Sequence, residues 1–183
     1  MLIHTQRLRL MTIEEKHLAA IISEPGSLGG LLKITIPEQW PEHPEAYRHA
    51  MSLLKQQPLL PHSGWWLYLF INPELKALVG CGGFKSAPDA DGVVEVGCEI
   101  APAFRRQGFA TEAMRGLVGY AFTRPEVSAI DGYSKPIKCA QSELMRDLGM
   151  TRIGEATDKV AGKVWNWRVT RDAFLKAALG ARV

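Results

Sequence analysis

The stretch from Val93 to Ala121 constrains this chain more than any other part of its sequence. Val94, Val96, Cys98 and Ile100 alternate with Glu95, Gly97 and Glu99, the period of a strand whose two faces meet different surroundings. A short basic turn follows, Arg105-Arg106-Gln107-Gly108. Beyond it Ala110, Ala113, Met114, Leu117, Val118 and Ala121 recur at helical spacing and predict one amphipathic helix over 108–123, stopped near Pro125. A strand that feeds directly into such a helix implies layers, with the apolar stripe laid on a sheet. A central strand covered on both sides should be apolar on both. Two carboxylates flanking a glycine on one face therefore suggest that this face lines a cleft. An edge strand or a solvated face would show the same pattern. Glu95 and Glu99 would stand about 13 Å apart along the strand, too far for one catalytic dyad, so at most one touches a reacting centre.

The rest of the chain alternates in kind. Strands are expected over 3–10, 66–71, 78–84, 93–101 and 129–134, and a hairpin over 152–157 and 163–169 around Ala161-Gly162. Helices are expected over 13–23 behind a Thr12 cap, over 44–57, and over 140–148 with Gly149 in the left-handed cap position. A last helix follows a Thr170 cap and ends near Ala178. Pro25, Gly26, Gly29 and Gly30 read as a break. The order predicts an α/β (α+β) sandwich, one sheet with helices on both faces, and 183 residues suggest one domain over 1–183. An apolar fraction of 46% and a net charge of +3 exclude disorder as the main state. The longest apolar run, Trp65 to Ile71, falls far short of the ~18 residues a membrane span needs. With no long apolar leader, and Cys81, Cys98 and Cys139 lacking C-x-x-C spacing, the expected setting is cytoplasmic with reduced thiols. The charge permits an anionic ligand without calling for nucleic acid.

At the junction of strand and helix, Arg105-Arg106-Gln107-Gly108-Phe109-Ala110-Thr111 has the chemistry of an anion site. A helix start exposes unpaired N–H groups and a partial positive charge. Small residues at 108 and 110 let a phosphate approach the backbone, and the arginines add charge. The segment is neither a P-loop, which needs Gly-Lys-Ser/Thr, nor the three-glycine dinucleotide fingerprint. A plain helix start with surface arginines is the bland alternative.

Val94-Glu95-Val96-Gly97-Cys98-Glu99-Ile100 followed by Arg105-Arg106-Gln107-Gly108-Phe109-Ala110-Thr111-Glu112-Ala113 resembles the acetyl-CoA site of the GNAT N-acetyltransferase superfamily. Arg105, Gly108 and Ala110 match that family's Gln/Arg-x-x-Gly-x-Gly/Ala pattern. The opening Thr5-Gln6-Arg7-Leu8-Arg9-Leu10 and the helix end Leu148-Gly149-Met150 are similar to the branch that includes ribosomal-protein N-terminal acetyltransferases. Residues 26–65 match least. The resemblance implies the GNAT acyltransferase fold, with a mixed, mostly antiparallel central sheet, acetyl-CoA as co-substrate, no metal, and a primary amine as acceptor. It places the CoA pyrophosphate on the backbone of Gln107, Gly108, Phe109, Ala110 and Thr111, with Arg105 and Arg106 flanking. Ile100, Ala101 and Pro102 would pair with the pantetheine arm. Glu95 is the first candidate for general base and Glu99 the reserve. Partners beyond acetyl-CoA and the amine would be none or a second copy, as monomer or homodimer.

One departure stands out. The branch usually carries Asn-x-x-Ser ahead of the Leu-Gly pair, where both side chains contact CoA near its sulfur. Here those positions hold Lys138 and Gln141, and Ser142 lies one residue off, about 100° around a helix; either the helix shifts to bring Ser142 to CoA, or the thiolate is managed otherwise. A non-catalytic acyl-CoA-binding regulator of the same fold is therefore the alternative reading. The acceptor pocket is expected from residues 29–40, the helix over 44–57, and Trp65 or Trp66, although these tryptophans also suit ordinary core packing. His43, His49 and His62 read as surface or loop residues, and the cysteines as packing residues.

Overall fold

The computed structural model describes residues 1–158 and 162–180. The strands are β1 Leu2–His4, β2 Arg9–Thr12, β3 Leu67–Asn72, β4 Ala77–Phe84, β5 Val93–Ile100, β6 Ala129–Ser134, β7 Thr151–Asp158 and β8 Gly162–Thr170. The helices are α1 Glu15–Ser23, α2 Ser27–Leu32, α3 Pro44–Gln56, α4 Leu60–Ser63, α5 Phe109–Phe122, α6 Ala140–Asp147 and α7 Arg171–Gly180. The strands form one sheet in the order β1-β2-β3-β4-β5-β6-β8-β7. Every neighbouring pair is antiparallel except β5 and β6, which run parallel and are joined through α5. This is the expected mixed, mostly antiparallel α/β arrangement.

Two apolar clusters sandwich the sheet. Met114, Leu117, Val118 and Phe122 of α5 lie against Val94 and Val96 of β5 and Ile130 of β6. On the opposite face Leu18 and Ile21 of α1 and Tyr47, Ala50 and Leu54 of α3 meet Leu69, Leu78 and Trp66. Each large apolar side chain so buried contributes roughly 1.5–3 kcal/mol, which is why the stripe on α5 dictates its place. Trp65 and Trp66 both belong to these cores, and Trp66 Nε1 donates to the Ile13 carbonyl at 2.9 Å. Neither is free to line an acceptor pocket.

Several local expectations change. The strand expected over 3–10 is a hairpin, because Thr5 turns the chain: its N–H donates to the Leu8 carbonyl, and Leu8 N–H donates back to Thr5 Oγ1. Thr12 does not cap α1. Its hydroxyl accepts from the amino terminus at 2.7 Å, and Glu14 with His17 forms the capping box instead. The break at Pro25–Gly30 folds as α2, while Gly149, at φ 75°, closes α6 in the expected left-handed conformation. Met150 N–H donates to the Met145 carbonyl there at 3.0 Å. Ala161, half of the expected hairpin turn, lies outside the described residues.

Candidate functional site

The parallel ladder between β5 and β6 ends at Glu95 and Asp131, although β5 continues to Ile100 and β6 to Ser134. The two strands part, and a gap opens in the sheet. Lys85 N–H donates to the Glu95 carbonyl and Ala101 N–H to the Val79 carbonyl. By antiparallel alternation, the backbone groups of Cys98 and Ile100 then point away from β4 into the gap. A groove of about 670 Å³ starts at this edge, passes the first turn of α5, and is closed by the first turns of α6.

At the α5 end the chain is built to present N–H groups. Arg106 and Gly108 both adopt left-handed backbone, φ 62° and 80°, and no side chain caps the helix. The N–H groups of Phe109, Ala110 and Thr111 have no carbonyl a turn earlier to bond. Gly108, Phe109, Ala110 and Thr111 line the groove together with Arg105 and Arg106. Arg105 is committed elsewhere, however. Its Nε donates to the Ile100 carbonyl at 2.9 Å, and its Nη2 pairs with Glu42 Oε1 at 2.6 Å. It straps the segment ahead of α3 to the end of β5.

The two glutamates of β5 diverge in surroundings. Glu99 lines the groove, and its Oε1 accepts from the Glu42 backbone N–H at 3.0 Å. Burial raises its carboxyl above the ordinary range, an effect that the Glu42 N–H only partly offsets. Glu95 points to the same side of the sheet but lies beyond the groove, paired with Lys85 Nζ at 3.1 Å. Between them Gly97 is exposed, and a Cβ built there would meet nothing within 4 Å. The face holding both carboxylates is therefore open above Gly97.

A sequence model of the acetyltransferase (GNAT) domain matches residues 7–151. The chain belongs to the GNAT acetyltransferase family. An uncharacterized N-acetyltransferase of Bacillus subtilis, YjdG, is 24% identical over 91% of this chain and 96% of its own. Among solved structures, RimL, a ribosomal alpha-N-protein acetyltransferase in complex with coenzyme A, superposes with a TM-score of 0.69 at 16% identity. That match covers 94% of this chain and 99% of RimL. Mutant forms of the spermidine/spermine N-acetyltransferase SpeG of Vibrio cholerae give 0.68 at 17% identity, over 94% and 98%. The GNAT fold is thus common to enzymes named for very different amines.

Within this GNAT domain the expected site residues separate into two groups. Glu99, Ile100, Arg105, Arg106, Gly108, Phe109, Ala110 and Thr111 come together on the groove. Glu95, Ala101, Pro102, Gln107 and Ser142 do not line it. Ala101 is fully buried under the α1–α3 cluster. Ser142 is also fully buried: its hydroxyl donates to the Cys139 carbonyl and accepts the Cys139 N–H, both at 2.9 Å, closing the start of α6. Gln141 instead reaches the groove wall.

Sequence reasoning missed Glu42, His43, Lys135 and Cys139, which also line the groove, as do Phe104 and further residues of α6. Only the proline-rich run before α3 hinted that Glu42 and His43 belong to an ordered segment. Burial pushes the Cys98 thiol up to about 12, so it lines the groove as a neutral side chain. Cys81, also pushed up to about 12 by burial, meets the Tyr47 hydroxyl at 2.7 Å. Among the described residues no cluster of three His, Cys, Asp or Glu side chains could hold a metal ion, and no helix is long and apolar enough to cross a membrane.

Proposed function

We propose that residues 1–183 act as one domain that transfers an acetyl group directly from acetyl-CoA to a primary amine, on a protein N-terminus or a small molecule. The observation that carries this reading is the uncapped start of α5 opening onto a groove that runs to the unpaired edge of β5 and to Glu99. The amides of Gly108, Phe109, Ala110 and Thr111 bind the diphosphate, aided by the helix dipole and by Arg106. The free backbone groups of Cys98 and the Ile100 N–H hold the extended pantetheine arm as an added strand would be held, while Arg105 occupies the Ile100 carbonyl.

Glu99 serves as the base. It takes a proton from the acceptor amine, directly or through water. The nitrogen lone pair then attacks the thioester carbonyl, the C–S bond breaks, and the CoA sulfur leaves with the electron pair and takes up the surplus nitrogen proton as the thiol. A general base works best with a pKa near the working pH, and its half-buried place in the groove favours Glu99 over Glu95, which lies beyond the groove beside Lys85. An α-amine titrates near ~7.7–8.0 and a lysine near ~10.4, so this weak base suits an α-amine or a small amine of lowered basicity. The names of RimL and SpeG span a ribosomal protein and polyamines, and both acceptor classes belong in the test.

That test is release of free CoA thiol from acetyl-CoA over a panel of peptides and small amines. Turnover on at least one amine is expected. Lys138 and Gln141, with Ser142 turned inward, favour the second reading of a non-catalytic acyl-CoA-binding module. Tight CoA binding without thiol release on any amine would establish it.

A further inference from the structure

The hairpin turn between β1 and β2 reaches the first turn of α5. Thr5 Oγ1 and Arg7 N–H both donate to Glu112 Oε1 at 2.6 Å, and Arg7 Nε donates to Glu112 Oε2 at 2.7 Å. The other arm of the same guanidinium turns to the loop: Nη1 donates to the Gln107 carbonyl at 3.1 Å. The Arg7 guanidinium carbon stands 4.4 Å from the centre of the Phe109 ring, and a Cβ built at Gly108 would meet Nη2 at 3.4 Å. The hairpin is held there by close packing, since a Cβ at Gly116 of α5 would come within 2.8 Å of Thr5 Cγ2.

Two consequences follow. Glu112 puts a negative charge one turn into the helix whose start must accept an anion. Burial alone would raise its carboxyl, but the bonds from Thr5 and Arg7 outweigh burial and hold it below the ordinary range. The carboxylate therefore stays charged, and Arg7 neutralises it on the side away from the groove. In addition, the C=O and N–H of a trans peptide point in opposite directions. Fixing the Gln107 carbonyl on Arg7 turns the Gly108 N–H away from Arg7, and Gly108 lines the groove.

We propose that Arg7 is a positioning residue for the acyl donor, which sets the 107–111 turn with its amides toward the groove and cancels the repulsion of Glu112. This rests on the function proposed above. The experiment compares acetyl-CoA with S-acetylpantetheine, which lacks the diphosphate and nucleotide, as donors in steady-state kinetics. Arg7→Ala is expected to raise KM for acetyl-CoA roughly tenfold, the worth of one or two charge-assisted hydrogen bonds. Its kcat and its KM for S-acetylpantetheine stay within about twofold of wild type. Arg7→Lys keeps the charge but cannot fork between Glu112 and Gln107; it is expected to raise KM for acetyl-CoA about threefold, and carries the same comparison if Arg7→Ala does not fold. Equal changes for both donors, or a fall in Tm alone, would mean that Arg7 only holds the hairpin, and would overturn the inference while leaving the function standing. A wild-type protein that does not distinguish the two donors would overturn the function itself, and this inference with it.

Discussion

The two walls of the groove are built in opposite ways. One is a single run of chain, Ile100 to Thr111, whose working groups are main-chain amides set by two left-handed residues and an uncapped helix. The other is assembled from side chains far apart in sequence: Glu42 and His43 ahead of α3, Lys135 after β6, and Gln141 and Leu144 on α6. A wall made of backbone depends on conformation, so few substitutions remove it, and those act strongly. A wall made of exposed side chains can change residue by residue. Under the proposed function, the contrast implies that the donor's diphosphate depends on the backbone wall, whereas the side-chain wall can vary.

The contrast can be broken most forcefully at Gly108. Its φ of 80° strains any other residue, and a carboxylate there would face the diphosphate. Gly108→Glu is expected to weaken CoA binding on the order of 100-fold or more in calorimetry. Its circular dichroism spectrum should be unchanged and its Tm only a few degrees lower. Affinity equal to wild type would remove the anion site from the backbone wall.

Next in size is the pair of glutamates on β5. Glu99→Gln is expected to lower kcat roughly 100-fold, with the Kd for acetyl-CoA within about threefold, whereas Glu95→Gln changes kcat less than about threefold. A base acts only when deprotonated. Because burial lifts the Glu99 carboxyl, kcat should fall as pH drops through a value above the ordinary glutamate range, and Glu99→Gln should abolish that limb. The opposite ranking of the two variants would move the base out of the groove.

The side-chain wall should respond more gently. Glu42 and Arg105 form a pair at 2.6 Å with both side chains partly exposed, a geometry worth under about 1 kcal/mol. Glu42→Gln is therefore expected to raise the acceptor KM at most about fivefold while leaving the Kd for CoA unchanged. A larger loss of CoA affinity would join the two walls into one unit.

The smallest effect lies away from both. His17 is buried, and its Nδ1 accepts the Glu14 N–H at 3.0 Å. Burial favours the neutral ring and lowers its pKa in the folded protein below 6.5. Its contribution to stability is present above pH 6.5 and is lost as pH falls toward the folded value. Chemical unfolding of wild type and His17→Asn should show this part of the slope only in wild type, with CoA binding unaffected by the substitution.

The same contrast explains what could be read in advance. The strand over 93–100, the Gly108 turn and the stripe from Ala113 to Ala121 are local patterns, and from them follow the groove residues Ile100, Arg105, Arg106 and those from Gly108 to Thr111, though not the absence of Ala101, Pro102 and Gln107 from the lining. Ser142 could not be placed from spacing, because a cap at Cys139 and a contact near a ligand ask for the same small polar residue. Glu95 and Glu99 share one face by alternation, but only the Lys85 side chain and the parting of β5 from β6 separate them, and both depend on long-range pairing. The turn at Thr5 was hidden for a similar reason: residues 3–10 alternate well enough for one strand, while their partner Glu112 lies more than a hundred positions on.

The central claim is that the amides at the start of α5 receive the donor's diphosphate. Amide resonances of isotope-labelled protein titrated with CoA test it most directly. The account predicts that Gly108, Phe109, Ala110 and Thr111 shift downfield and saturate together with the binding isotherm. Saturable CoA binding that leaves those four amides unmoved would contradict it.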